Sequence, residues 1–167
     1  MDADTAKEKL AAAKELAAAG DFAAALASLK ECARFGAADA AFCNKLAKLA
    51  AKLGGKCGLR GLKVALLSSS TTVFLEPLLK YFLLCRGFDA EVRSGDFGAW
   101  RSDILDESSW LSEFGPDAAI IILNWRDAAI GALGSRAEAA RAVEDIASLW
   151  RALSKRLKAA AIFQTGR

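Results

Sequence analysis

The sequence has 167 residues, 54% of them hydrophobic and 26% charged, with a net charge of +3. This composition is typical of a globular chain with a buried core and excludes an intrinsically disordered one. The 23 basic and 20 acidic residues are well mixed, with no basic block and interleaved aromatics, so nucleic-acid binding is disfavoured. No apolar run approaches the ~18 residues of a membrane span, and the start is not a secretory signal. We therefore expect a cytoplasmic protein without a membrane or nucleic-acid partner.

Histidine is absent from the whole sequence. Ser-His-Asp and Cys-His mechanisms, and metal sites that need imidazole, are therefore excluded within this chain. The cysteines are far apart and form no CxxC pair; they are Cys32, Cys43, Cys57 and Cys85. We expect them to be reduced, mostly buried small hydrophobes and not metal ligands, with a disulfide framework as the alternative.

Residues 1–55 are alanine-rich and have helical spacing of their apolar positions. Thr5 and Glu8 form a capping-box pattern, and Asp21 and Asp39 are the expected caps of a second and a third helix. The phrase "AAAGDFAAALASL" resembles the segment between the helices of a tetratricopeptide repeat. Since only about one and a half such repeats fit, we expect a helical hairpin or three-helix segment that packs on the next domain or docks a partner.

A glycine-rich basic linker, residues 56–62, precedes a segment that alternates between strand and helix. The predicted strands cover residues 63–68, 88–93, 118–123 and 159–163. The first helix between them is expected to begin near Thr72, and the longest to run from its cap Ser135 to about Lys158. The order predicts an α/β domain over residues 63–167, with a parallel sheet of about four strands.

In such sheets, ligands bind beyond the carboxyl ends of the strands. The polar residues predicted at those ends are the ligand-binding or anion-binding candidates: Ser69, Ser70, Thr71, Asp96, Asn124 and Arg126. The run "SSSTT", residues 68–72, leaves two readings open: a helix cap through Thr71 or Thr72, or an anion site at a helix N-terminus. The glycine patterns of phosphate loops and of the nucleophile elbow are missing.

Two kinds of residue are candidates for docking a partner. Trp125 lies at the end of the third strand, where an aromatic side chain lines a pocket, docks a partner or covers the core. Lys52, Lys56, Arg60 and Lys63 form a basic strip around the linker that would suit an acidic partner.

The segment from Leu62 to Gln164 resembles the amino-terminal region of FkbH-like proteins. The resemblance rests on ordered blocks in "KVALLSSSTTVFLEPLLKYFLLCRGFDAEVRSGDFGAWRSDILDESSWLSEFGPDAAIIIL": a strand with a Ser/Thr turn, an "RG" helix end, a "GDF" loop and "PD" before an apolar strand. It implies a flavodoxin-like, degenerate SGNH-hydrolase-like domain that precedes a phosphatase domain of the haloacid dehalogenase type. In bacterial members of the family that second domain, with Mg²⁺, loads glyceryl from a phosphoglycerate onto an acyl carrier protein for polyketide or polysaccharide assembly.

The DxDxT motif of such a phosphatase domain occurs nowhere in this sequence. In the SGNH pattern, a Gly-Asp-Ser block carries the nucleophile; "SSSTT" stands in its place here and puts Ser70 at the nucleophile position. The third block of that pattern carries an Asn, and its counterpart here is either Asn124 or Arg126. We expect a domain truncated at its C-terminus that holds no cofactor itself.

The favoured interpretation is a non-catalytic binding or scaffold domain that docks an acyl carrier protein or its own catalytic domain. The alternatives are a degenerate esterase or acyltransferase that uses Ser70 with Asp96 as helper, and a helical-repeat adaptor.

Overall fold

A computed structural model describes residues 3–32, 40–124, 127, 135–157 and 160–165. Seven helices lie in this part of the chain: α1 Ala3–Ala18, α2 Phe22–Cys32, α3 Ala40–Leu53, α4 Leu75–Cys85, α5 Trp100–Leu105, α6 Trp110–Phe114 and α7 Arg136–Arg156. The strands are β1 Arg60–Ser68, β2 Phe88–Ser94, β3 Ala118–Leu123 and β4 Ala160–Thr165. The predicted α/β class is confirmed, and the tetratricopeptide-like and SGNH-like details stay predictions.

The strands of the sheet follow the order β2-β1-β3-β4. β1 pairs with β3 in parallel, with Val64 opposite Ala118 and Ser68 opposite Ile122. β3 pairs in parallel with β4 over the whole length of both strands. Parallel pairing brings the carboxyl ends of β1 and β3 to the same edge, as the alternating sequence pattern predicts.

The first strand begins three residues earlier than the sequence indicates. β1 starts at Arg60, so residues 60–62 belong to a strand and not to the predicted linker 56–62. These three residues are exposed or half-buried, whereas Val64 to Ser68 are all buried. Apolar residues in the sequence mark only the buried part of a strand. The exposed part pairs through its backbone and needs no apolar side chains, so the sequence does not reveal it.

Helix caps agree with the sequence in part. The Ala24 N–H donates to Asp21 Oδ1 over 3.0 Å, which confirms the cap of α2. A capping box between Ser135 and Glu138 opens α7, also as predicted. Thr5 is not the N-cap residue, because α1 includes Ala3 and Asp4 and Thr5 lies within its first turn. The predicted cap Asp39 lies outside the described residues.

The chain divides into two compact units, residues 1–62 with 73–91 and residues 63–72 with 92–167. The core of the first unit joins the N-terminal helices to α4, whose Tyr81 and Leu84 are buried with Leu29 and Leu53. Residues 73–91, which the sequence assigns to the α/β domain, thus group with the N-terminal helices. The N-terminal helices therefore pack on α4, which is the packing role predicted for them.

The core of the second unit lies between the sheet and helices α5, α6 and α7. Leu67 of β1 and Ile121 of β3 are fully buried there. They belong to one cluster with Ile104, Leu111 and Leu153, one from each of the three helices. Packing on these helices holds the sheet edge beyond Ser68 in place.

Candidate functional site

The hydroxyl run begins at the end of β1, beside the end of β3. Ser68 Oγ donates a hydrogen bond to the Ile122 carbonyl over 3.2 Å and accepts one from the Ser70 N–H over 3.0 Å. The Ser69 N–H donates to the same Ile122 carbonyl over 3.3 Å. The N–H groups of Ser69 and Ser70 therefore both form hydrogen bonds within the protein. They are not available to bind an anion, which an anion site at this turn would require.

The side chain of Asn124, which follows the neighbouring strand β3, forms a hydrogen bond to this turn. Asn124 Nδ2 donates to Ser69 Oγ over 3.0 Å, so the residue after β3 is bonded to the residue after β1. The Asn124 N–H in turn donates to Asp127 Oδ2 over 2.6 Å. The sequence left Asn124 and Arg126 as alternatives for the block-three residue. The structure places Asn124 at the hydroxyl turn, while Arg126 lies outside the described residues.

The second half of the hydroxyl run does not cap a helix. Helix α4 begins at Leu75, and its N-cap is Phe74, with no side-chain capping bond. Thr72 is buried instead, and its Oγ1 donates to Ser94 Oγ at the end of β2 over 2.9 Å. The helix-cap interpretation of "SSSTT" is therefore wrong, because the Thr72 hydroxyl is bonded across the sheet edge. Pro77 lies in the first turn of α4, as predicted.

The two candidate catalytic residues, Ser70 and Asp96, are both exposed. Among the described residues, no hydrogen bond joins the Ser70 hydroxyl to the Asp96 carboxylate. The Asp96 carbonyl accepts from the Ala99 N–H over 3.1 Å, which makes Asp96 the first residue of a turn before α5. Thr71 is exposed as well. The exposed hydroxyl groups of Ser70 and Thr71 can offer hydrogen bonds to a polar group.

Two interactions at this edge were not predicted from the sequence. The first is the Thr72–Ser94 hydroxyl pair, whose only signal is that each residue follows a strand. The second is Arg101 on α5, which donates to Asp145 of α7 over 2.6 Å and to the Asp127 carbonyl over 3.2 Å. Arg101 thus fixes the backbone that follows β3. No local motif marks it, because both partners are distant in sequence.

The basic docking candidates have different surroundings. Lys56 is exposed, and its Nζ lies 5.1 Å from the centre of the Phe22 ring. Arg60 is exposed at the first position of β1. Lys63 Nζ donates to the Phe114 carbonyl over 3.2 Å and lies over the Phe114 ring, so part of its bonding capacity is used inside the second unit. Trp125 lies outside the described residues, and docking by these residues stays a prediction.

The described part of the chain holds no group of three or more Cys, Asp or Glu side chains placed to bind a metal ion. Its four cysteines are free thiols, with Cys32 and Cys43 buried and the other two half-buried. Within the same residues, no helix is both long and apolar enough to cross a bilayer.

The fold is similar to that of the N-terminal part of the protein BF1531 from Bacteroides fragilis, whose crystal structure contains a phosphatase domain complexed with Mg. The TM-score is 0.56 at 22% sequence identity. The similarity covers 65% of this chain but 30% of the other, so the chain spans less than a third of that structure. No family model and no curated protein matches the sequence. Similarity at this level of identity establishes the fold alone.

Proposed function

We propose that this chain is a non-catalytic binding and scaffold domain of an FkbH-like, glyceryl-loading protein. In this proposal a phosphatase-type domain outside the chain, with Mg²⁺, takes a phosphoglycerate and loads glyceryl onto an acyl carrier protein for polyketide or polysaccharide assembly. The chain docks the carrier protein or positions that catalytic domain. The resemblance over residues 62–164 supports this, as does a fold similar to the N-terminal part of a protein that contains a phosphatase domain.

The observation that carries the non-catalytic part of the proposal is the internal bonding of the sheet edge. Ser68, Ser69 and Thr72 each form a hydrogen bond with a neighbouring strand end. Ser70 remains exposed, but a serine needs a base to become a nucleophile, and the sequence contains no histidine. In this proposal the hydroxyl run joins the ends of β1, β2 and β3 and takes part in no reaction.

Two measurements on the full chain test this function. Titration calorimetry with the acyl carrier protein and with the phosphatase-type domain of the source organism should give binding to at least one of them. Hydrolysis of a p-nitrophenyl ester should equal the rate without protein, and Ser70→Ala should leave that rate unchanged. Ester hydrolysis that is lost in Ser70→Ala would establish the esterase alternative, and no binding to either protein would refute the scaffold role.

A further inference from the structure

An open groove of about 650 Å³ lies on the helical unit, lined by residues of α1, α2 and α3 and by Lys56. Its floor is apolar and includes Ala17, Ala18 and Phe22, with the buried Leu49 behind them. Five lysines surround the floor: Lys14, Lys45, Lys48, Lys52 and Lys56. No carboxylate lines the groove among the residues that the structure describes. The volume is in the range of pockets that take whole ligands, and the lining combines an apolar surface with several positive charges.

Three lysines outside the groove are ion-paired, whereas the groove lysines, within the described residues, are not. Lys7, Lys9 and Lys80 form ion pairs of 2.6–3.0 Å with Asp4, Glu31 and Glu76 respectively. In the described part of the chain, none of the five groove lysines forms an ion pair. Their ammonium groups are exposed, and the Nζ of Lys56 lies over the ring of Phe22 at the edge of the apolar floor.

Helix spacing concentrates this charge on one side of α3. Lys45, Lys48 and Lys52 are three and seven residues apart, so they share a helix face beside Leu49. Like charges at this spacing repel one another and destabilise the helix slightly. Carboxylates of a partner would relieve the repulsion, and its apolar side chains would cover the floor.

We propose that this lysine-rimmed groove binds an acidic amphipathic helix of a partner protein, with its apolar face on Ala18 and Phe22 and its carboxylates on the lysines. The inference deepens the proposed function and rests on the binding role stated there. Helix-in-groove docking suits a floor of this kind, because apolar anchors repeat every three or four residues along such a helix. Nucleic acid is disfavoured, because the described lining includes no arginine and the Phe22 ring is partly covered by Lys56.

The test uses the full chain and a synthetic helical peptide of about 15 residues, with leucines on one face and glutamates beside them. The variant is Lys48→Gln/Lys52→Gln, which removes two charges at exposed helical positions. The matched control is Lys30→Gln/Lys155→Gln, two exposed helical lysines outside the groove. Circular dichroism checks that all proteins remain helical. Fluorescence anisotropy of the labelled peptide measures the dissociation constant at low and at high salt.

We expect the groove variant to weaken peptide binding by about tenfold at low salt, and the control to leave it within about twofold. High salt should weaken binding to the natural chain more than binding to the groove variant. A peptide with serines in place of the leucines should lose binding. Equal affinity of the two lysine variants would overturn the proposal, and so would tighter binding of a polyuridine oligonucleotide than of the peptide.

The outcome for the groove is separable from that for the proposed function. If the carrier protein or the phosphatase-type domain binds the chain and the groove variant binds it equally well, the scaffold role stands and the groove inference fails. If the acidic peptide binds through the lysines while neither protein binds, the groove inference stands and the proposed partners are wrong.

Discussion

Asn124 Nδ2 lies 3.0 Å from Ser69 Oγ and joins the residue after β3 to the residue after β1. The two residues are 55 positions apart in the sequence, and both side chains are half-buried. A bond between half-buried neutral groups contributes about 1 kcal/mol, and removing one partner leaves the other without its bond. The pair is therefore a measurable link across the candidate site.

A double-mutant cycle with Asn124→Ala and Ser69→Ala tests this link. Each single variant should lower the free energy of unfolding by about 1 kcal/mol, and the coupling energy should be about 0.5–1.5 kcal/mol. Urea unfolding measures both quantities. The matched cycle pairs Asn124→Ala with Ser70→Ala and should show no coupling. A coupling near zero for Ser69 would mean that the bond does not contribute in solution.

Gly95 follows β2 and allows the close approach of two other side chains. A Cβ atom at this position would lie 2.5 Å from Asp103 Oδ2 and 3.4 Å from Trp110 Nε1. We expect Gly95→Ala to lower the free energy of unfolding by about 0.5–1.5 kcal/mol, because the Asp103 carboxylate can move only in part. Adding Asp103→Ala to this variant should recover part of the loss, because it removes the atom in conflict.

Gly61→Ala is the control for this substitution. A Cβ atom at Gly61 would have no heavy atom within 4 Å, so the stability should change by less than about 0.5 kcal/mol. Thermal or urea unfolding of the three variants gives the comparison. Equal effects of Gly95→Ala and Gly61→Ala would contradict the close packing at Gly95.

The stability of the first unit should fall at alkaline pH through Cys85. Burial raises the pKa of the Cys85 thiol from its ordinary 9.0 to about 11. Between these two values the unfolded thiol is ionised and the folded thiol is protonated, so unfolding releases a proton. The contribution of Cys85 to the free energy of unfolding is thus complete below pH 9.0. It decreases as the pH rises from 9.0 to about 11.

The slope of this loss should not exceed about 1.4 kcal/mol per pH unit, the value for one proton. Urea unfolding of the natural chain and of Cys85→Ser at several pH values measures it. The serine variant should be less stable at neutral pH but lose less stability at alkaline pH, because its hydroxyl does not ionise. Parallel curves for the two proteins would show that Cys85 is not the group that titrates.

The capping box of α7 should stabilise the second unit. Ser135 Oγ accepts from the Glu138 N–H over 3.2 Å, and the Ser135 N–H donates to Glu138 Oε2 over 2.7 Å. Ser135→Ala should cost about 1 kcal/mol of stability in thermal or urea unfolding. Ser148→Ala is the control, because Ser148 is exposed within the same helix and alanine is the better helix former there. A loss from Ser148→Ala as large as that from Ser135→Ala would contradict a specific role for the cap.

Deleting residues 1–53 should prevent the remainder from staying soluble. Tyr81 and Leu84 of α4 are 1% and 3% exposed, and both belong to the core that the N-terminal helices form. Losing those helices would expose this apolar surface and favour association. Size-exclusion chromatography of the deletion variant beside the full chain gives the answer. A soluble, folded remainder that has lost only partner binding would favour the helical-repeat adaptor.

Local patterns in the sequence were sufficient to predict most of the helices and strands. The continuous apolar run after Lys63 and the run from Ala118 both predicted strands of a parallel sheet, because such strands are buried on both faces. Asp21 and Ser135 identified helix starts, since a cap bonds only to residues three positions away. These are short-range interactions, and a single sequence records them directly.

Local patterns were therefore enough to predict the α/β class, the order of the elements and the caps of α2 and α7, and composition alone excluded an imidazole base. The tertiary structure decided the role of the hydroxyl run: Thr72 bonds to Ser94 and Ser69 to Asn124, so the run joins strand ends where the sequence predicted a helix cap. It also decided that α4 shares a core with the N-terminal helices and that five lysines surround one apolar groove. The physical reason is that these contacts join residues far apart in the chain, and no local spacing encodes which distant partner a side chain meets.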